Sequence, residues 1–433
     1  MKRAAAVVLL TGATGFVGKV VASELLRRRA ELGIERILAL VRARDPEQAD
    51  ARLRSEVLAS PAFAAEPPGF EKWLEALPGD ITAPRLGLAG EAFERVRGDV
   101  SHVIHCAASI RFSLPLAEAT LTNAGGALHA LEVARACKRL ASLVVVSTAF
   151  VTPHRGGGVL RVAETLAPLP FDAEAALARL LAGEADEARL LAETGHPNTY
   201  TLTKCLGEAL LVRRVAGVPL TIVRPSIVSA SRTRPLPGWI DSPAAFAGFV
   251  AAVGTGRLRV LGGHPETPLD IVPCDEVAER IVGAAFAPPA PGEPRIRHAA
   301  AGLAGACSLG LAVERMERHY AEGSQLAYFG PRGWRFRVAH ARHHELPGLT
   351  ERLALRLRGQ PRLAAARQRL LERQRALNDE FAYFMQRRFD FETSQPLSPP
   401  LDPAAYLDTV CAGVERHLLR RERAARERTA RLS

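Results

Sequence analysis

The 433-residue chain has no run of 18 or more apolar residues, so a helix spanning a bilayer is excluded. Its longest candidate, residues 244–253, is about half the length needed. Six cysteines (Cys106, Cys137, Cys205, Cys274, Cys307, Cys411) stand apart with no C-x-x-C pair. That removes a disulfide framework, and reduced, mostly buried thiols in a cytoplasmic protein are expected. No internal repeat is visible. Acid is in deficit, with 46 Asp+Glu against 57 Lys+Arg and a formal net charge of +11. Such a balance suits an anionic partner, although arginine so dominates lysine, and alanine is so abundant, that a GC-rich genome also accounts for part of it. What is present is ordinary globular material, 48% hydrophobic and 24% charged. That is enough for a large core in two or three lobes. The opening Met1-Lys2-Arg3 resembles the start of a signal peptide. The apolar run after it, residues 4–10, is short and enters a glycine-rich loop directly, so a first β-strand is the expectation.

Residues 4–10 are continuously apolar, as in a parallel strand buried on both faces. Residues 16–31 then place Val17, Val20, Val21, Leu25 and Leu26 at helical spacing, and 37–41 form a second strand. Further strands are expected at 103–106, 143–147 and 220–223, with helices at 121–138 and 199–215. This alternation predicts an α/β fold: a Rossmann-type, doubly wound parallel sheet. A Pro/Gly-rich break at 288–294 closes this body, giving a first domain over 1–290. Residues 300–395 read as a helical, arginine-rich domain without clear strands, in which Leu370, Leu377, Phe381 and Phe384 share a face. Residues 396–433 read as a basic helical tail.

Between the first strand and helix lies Thr11-Gly12-Ala13-Thr14-Gly15-Phe16-Val17-Gly18, a G-x-x-G-x-x-G turn. Its glycines permit a tight turn, a close backbone approach to a pyrophosphate and close helix–strand packing. The second strand ends in Arg42-Ala43-Arg44. A guanidinium there matches a ribose 2′-phosphate bidentately, which favours NADPH over NADH. Pro78-Gly79-Asp80-Ile81 is a turn suited to an acidic side chain beside adenine.

Tyr200 and Lys204 are four residues apart and share a helix face. An ammonium beside a phenol favours the phenolate, so a tyrosine pKa lowered toward neutrality is expected. A strand ending Val146-Ser147-Thr148 offers a third hydroxyl. Thr148 is preferred and Ser147 is the reserve, because alternation along a strand points them apart.

The motifs TGATGFVGK (11–19), LVRAR (40–44), PGDI (78–81), HCAASIRF (105–112), VSTAF (146–150), HPNTYTLTK (196–204) with Glu208, VRPSIV (223–228) and LDIVPCDEV (269–277) follow one another in order. Over residues 5–285 the chain resembles the extended short-chain dehydrogenase/reductases, specifically the fatty acyl-CoA reductases and thioester reductase domains. Over 300–395 the likeness rests on YFMQRRFDF (383–391). The resemblance implies reduction of a long-chain acyl thioester, carried on CoA or on an acyl carrier protein, to aldehyde and on to alcohol. Tyr200, Lys204 and Thr148 would surround the carbonyl. It implies phosphate contacts from Thr11, Gly12, Thr14, Gly15, Phe16, Val17 and Gly18, and 2′-phosphate contacts from Arg42 and Arg44. Asp80 and Ile81 would border adenine. Ala107, Ala108 and Ser109 would line the ribose that Lys204 holds, Pro225 and Ile227 would back the nicotinamide, and Asn123 would sit near the centre. Many eukaryotic members end in a hydrophobic membrane segment, and none is expected here. The same residues would equally serve an extended reductase of a sterol, a sugar nucleotide or a small ketone.

An acyl chain needs an apolar channel, for which Gly238-Trp239-Ile240 and the helix 242–253 are the candidate wall. His340, His343 and His344 have no H-E-x-x-H pattern or cysteine partner, so solvated histidines are expected and no metal site. The arginine-rich stretch 351–375 lacks interleaved aromatics and any nucleic-acid motif. It reads as a solvated face or as an amphipathic helix touching membrane lipid or an acidic carrier protein. The apolar positions of 370–384 read as ordinary packing.

Overall fold

The computed structural model describes residues 5–320 and 324–420; in the helix at 361–382 the side chains of 367, 370, 371, 373–377 and 380 are not described. Seven parallel strands form the central sheet: β1 (Ala6–Thr11), β2 (Ile34–Val41), β3 (Leu74–Pro78), β4 (His102–His105), β5 (Ser142–Val146), β6 (Leu220–Pro225) and β7 (Arg295–Ala299). Their order is β3-β2-β1-β4-β5-β6-β7. β1 is buried along its whole length. Its side chains alternate between two cores, as the pleat requires. Val8 and Leu10 face a core shared with α1 (Phe16–Arg27). Val7 and Leu9 face the opposite core, with Ala130 and Leu131 of α2 (Gly126–Ala136). Leu9 pairs with Leu38 on one side and Val103 on the other. The chain reverses direction across the sheet between β1 and β4, so the carboxyl ends of these two strands open a crevice.

Three later helices position the site. They are α3 (Thr199–Arg213), α4 (Ala245–Gly254) and α5 (Cys274–Phe286), which packs against α1. The first domain does not stop at the proline-rich break. β7 follows it and pairs with β6 in register Arg297 to Val223, so the sheet continues to Ala299. Nor are residues beyond 300 without strands. Cys307–Ser308 pairs with Pro268–Leu269, Tyr328–Gly330 with Val260–Gly262, and Arg388–Phe391 with Val159–Val162. These short ladders tie the C-terminal region to loops of the body. The expected basic tail is a packed element as far as it is described. α6 (Leu309–Tyr320) receives α8 (Pro403–Val414), which buries Tyr406, Leu407, Val410, Cys411 and Val414, while α7 (Pro361–Ala382) lies between them in the chain. An apolar stripe at helical spacing outweighs the arginines that follow it. Residues 421–433 of that tail, and the expected face at Leu370 and Leu377, lie outside what is described. Among the described residues, no helix is long and apolar enough to cross a membrane.

Candidate active site

The glycine turn is shaped for close approach. Gly12 has φ +79°, and a Cβ there would lie 2.7 Å from the Ala107 amide nitrogen. A Cβ on Gly18 would come within 1.9 Å of the Gly12 carbonyl oxygen. Both positions therefore need glycine. α1 begins at Gly15 with no side-chain cap, which leaves the first-turn amides facing the crevice as an anion cradle. Those features fit the pyrophosphate of a dinucleotide. Thr11 does not join them with its hydroxyl, which bonds His105 Nδ1 (2.9 Å) and accepts from the Ala107 amide (3.2 Å), tying the end of β1 to that of β4. Thr14 is half-buried at the turn. Arg42 and Arg44 are exposed beyond β2. Asp80 accepts from the amide (2.9 Å) and hydroxyl (2.8 Å) of Thr82, and the Ile81 carbonyl meets His129 Nδ1 at 2.9 Å.

Local capping explains where the central residues stand. Asn198 accepts from the Thr201 amide (2.9 Å) and starts α3, while the Thr199 hydroxyl donates to the Leu114 carbonyl (2.8 Å). Tyr200 thus sits on a first turn pinned to the 106–115 loop, with Lys204 one turn further on the same face. Lys204 Nζ donates to the Val146 carbonyl at 2.7 Å. Burial pushes Tyr200 up to about 12, opposed by a hydrogen bond from Thr148. Burial pushes Lys204 down to about 8, opposed by the charge of Glu208. The expected lowering of the tyrosine by its ammonium neighbour is therefore not found: burial raises the phenol, and the ammonium is turned to a carbonyl. β5 ends at Val146, but the backbone is still extended at Thr148 (φ −146°, ψ 148°), and both Ser147 and Thr148 border the cavity. The Ser147 hydroxyl is buried with no partner. Thr148 accepts from the Phe150 amide (3.3 Å). Asn123 is spent internally: its oxygen accepts from the Ser109 amide (2.9 Å) and its nitrogen donates to Thr203 (3.0 Å). It holds the loop of Ala107, Ala108 and Ser109 against α3.

A cavity of about 660 Å³ runs from Gly12 and Gly15–Gly18 past Ala108, Ser147, Thr148, Tyr200 and Lys204. Pro225 and Ile227 flank it, and its far wall is apolar, made by Ile240, Phe246 and Phe249 with Leu269 and Leu309. The expected wall is thus half right. Trp239 is fully buried behind it, stacked on Phe16 at 5.4 Å, and Gly238 packs against the backbone of Gly413. Phe381, Phe384 and Met385 also line the cavity, so the end of α7 is more than ordinary packing. Phe112 joins them to the centre, with ring centroids 5.9 Å from both Tyr200 and Phe384. Phe150 meets Phe384 edge-on at 4.9 Å.

Two buried acids support this shell. Glu208 accepts from Arg224 Nε at 2.9 and 3.1 Å, with side-chain exposures of 2% and 0%. Asp270 accepts from the Ser226 hydroxyl (2.6 Å) and the amides of Ala301 and Gly302 (both 2.9 Å), clamping the cavity floor to the C-terminal region.

The model of the male sterility protein family, an NAD-binding domain model, matches residues 10–281, which include the glycine turn, Tyr200, Lys204 and Asp270. The chain belongs to the male sterility protein family. Within that family it is 33% identical over 285 residues to human fatty acyl-CoA reductase 1, covering 64% of this chain and 54% of the relative. It is 30% identical over 312 residues to the alcohol-forming fatty acyl-CoA reductase of Simmondsia chinensis, covering 65% and 63%. The chain spans little more than half the length of the curated relatives it matches. In fold it is similar to the terminal R domain of the myxalamid PKS-NRPS pathway, with TM-score 0.67 and 20% identity over 96% of this chain and 92% of that one. A reductase domain of a Mycobacterium tuberculosis non-ribosomal peptide synthetase gives TM-score 0.61 at 19% identity over 96% and 92%. The male sterility family model stops at 281, and the residues that sequence reasoning missed fall on both sides of that limit. Phe112, Phe150 and Asp270 stood inside recognised motifs without a role. Phe381 and Phe384 were read only as an apolar helix face, and Met385 only as part of the YFM of 383–385. Among the described residues no His/Cys/Asp/Glu cluster could hold a metal. His340 and His344 are buried rather than solvated, His344 accepting from the Arg259 amide at 3.3 Å.

Proposed function

We propose that this chain is an oxidoreductase that uses NADPH to reduce a long-chain fatty acyl thioester. The observation that carries the reading is a single cavity joining three things: the glycine cradle, the Tyr200–Thr148–Lys204 group and an apolar wall. A hydrophobic tunnel beside a polar centre suits an acyl chain better than a sugar nucleotide. Preference for NADPH rests on Arg42 and Arg44. The nearby carboxylate that would compete for the ribose, Asp45, is occupied as the cap of helix Pro46–Arg52, accepting from the Gln48 amide at 2.7 Å. Gly12 to Gly18 would hold the pyrophosphate, Asp80 and Ile81 the adenine side. Lys204, with Ala107, Ala108 and Ser109, would hold the ribose, and Pro225 and Ile227 would back the ring.

When bound, the cofactor supplies a hydride from nicotinamide C4. The protein's part is to hold the carbonyl and manage one proton. Tyr200, at about 12, keeps its proton at neutral pH and reaches the thioester carbonyl as a donor. It gives that proton up as negative charge develops on the oxygen. Thr148 stabilises the phenolate left behind, with Ser147 next to it as the reserve hydroxyl. Phe112, Phe381 and Phe384 keep water from the centre. A thioester reduced once is a hemithioacetal; it loses its thiol to give an aldehyde, and a further two-electron reduction gives the alcohol. Both CoA and acyl carrier protein are candidate carriers.

The test is oxidation of NADPH, followed beside NADH, with long-chain acyl-CoA and with acyl carrier protein thioesters, together with titration of released thiol. Thiol release matching NADPH consumption is expected. Tyr200→Phe should lose turnover by roughly 10²–10⁴-fold while binding NADPH as the parent does. Turnover on a sterol, sugar nucleotide or simple ketone, with none on thioesters, would replace this reading by the general reductase one.

A further inference from the structure

Residues 334–357 form one helical run: Trp334–His340, a π-helical turn at Ala341–Glu345, and Leu346–Leu357. Its amphipathicity is inverted. Trp334, Val338, Leu346, Leu349, Leu353 and Leu357 recur at three- and four-residue intervals around Arg342, and all face solvent, from 46% exposed at Leu349 to 80% at Leu357. The face turned inward carries His340, His344 and Gly348, all buried. A surface helix ordinarily hides its apolar stripe, and an exposed apolar face of this extent marks a binding surface. Leu363, on α7 beside it, is 53% exposed and extends the patch.

The charge around the stripe selects the occupant. Between 334 and 363 there are seven arginines against two glutamates. Arg335, Arg337, Arg342, Arg356, Arg358 and Arg362 are all exposed. Leucines in the middle, a tryptophan at one end and arginines along both flanks are the make-up of a helix that lies in a lipid headgroup layer. Each exposed arginine adds attraction to an anionic leaflet. We propose that this face seats the protein on an anionic membrane surface, lying flat on it and not crossing it. α7, which packs against this run, carries Phe381 and leads into Phe384 and Met385 of the cavity. Docking would therefore set the acyl cavity close to the lipid phase. The proposal extends the acyl-thioester reading but is tested without turnover.

The experiment floats the full chain with vesicles of phosphatidylcholine alone or containing about 30 mol % phosphatidylglycerol. At least about tenfold stronger binding to the anionic vesicles is expected, weakening with salt. The Leu353→Asp/Leu357→Asp protein should lose about tenfold or more of that binding, with its circular dichroism and its turnover of a short, water-soluble thioester unchanged. Arg356→Gln/Arg358→Gln should lose mainly the salt-sensitive part. Vesicles should shift tryptophan emission to the blue in the parent and not in Trp334→Phe, which still floats. Equal flotation of the parent and the double aspartate variant would overturn the proposal. So would a parent dimer that this variant converts to monomer, which would assign the face to a second copy. Saturation of the face by an acidic carrier protein, with no affinity for vesicles, would overturn it as well. Vesicle binding intact with no thioester turnover would sink the catalytic reading alone.

Discussion

Replacing Arg224 by methionine should destabilise the protein more than any change on its surface. Arg224 leaves β6 and meets Glu208 of α3 with no solvent around either group, since exposures are 0% and 2% and its Nε is shared between both carboxylate oxygens. A methionine of similar length fills the volume but leaves a buried carboxylate without its ion-pair partner. Breaking a buried pair from one side costs about 3–5 kcal/mol, because the remaining charge keeps its desolvation penalty and loses its attraction. Neutralising the survivor as well, in Arg224→Met/Glu208→Gln, should return at least about 2 kcal/mol of that loss, which is the coupling a double-mutant cycle reads. Urea unfolding of the four proteins supplies the numbers, with an unchanged slope showing that the native state is intact. A single-variant cost under about 1 kcal/mol, or a double variant no better than the sum of its parts, would refute the picture of a dry ion pair.

The same glutamate sets a pH dependence. Lys204 at about 8 is charged below that value and neutral above it, so NADPH affinity that needs the ammonium should fall as pH rises through about 8. Tyr200, at about 12, does not titrate there. Glu208→Gln removes an interaction that raises the lysine, so fluorescence titrations should show the fall at lower pH; an unmoved midpoint contradicts the assignment. In stability the sign runs the other way. The folded value lies below the ordinary 10.5, so the unfolded chain holds the extra proton between about 8 and 10.5, and this group makes stability rise with pH across that window. Gly12→Ala should weaken NADPH binding by at least about tenfold through backbone clash and positive φ, whereas Gly33→Ala, at φ +68° with nothing within 4 Å, pays the backbone strain alone and should bind normally. Phe384→Ala should raise KM for long acyl chains more than for short ones; a uniform change would remove that ring from the acyl wall.

What could be read from the chain was what local spacing encodes. Residues 4–10 are apolar at every position, and from Ala6 onward the run lies in a strand buried on both faces, ending in the glycine turn where expected. Tyr200 and Lys204 share a face because four residues make a helical turn, and Asn198 begins that helix as its composition allows. Thr148 was preferred to Ser147 on strand alternation; its backbone is still extended two residues past the end of β5, while the Ser147 hydroxyl is buried without a partner. The tyrosine's proton affinity was misjudged because charge proximity shows in a sequence while burial does not, and burial is the larger effect here.

The rest depended on contacts between distant segments, and there periodicity is silent about direction. Phe384 reaches Phe112 and Phe150 across more than two hundred residues, and its spacing alone is equally consistent with ordinary core. β7 was hidden because prolines precede it and arginines alternate within it, so it reads as surface until β6 is known to need a neighbour. α8 was hidden by the opposite bias, an arginine-rich continuation that drew attention from Tyr406, Val410 and Val414. The run 334–357 is the sharpest case. Its leucines announce an apolar face in any reading of the sequence, yet only the placement of His340, His344 and Gly348 against the body shows that this face points outward. A helical pattern gives the angle between faces and never says which one is inside. Inverted helices of this kind are therefore where function escapes a sequence reading, because the ordinary rule buries the surface that does the binding.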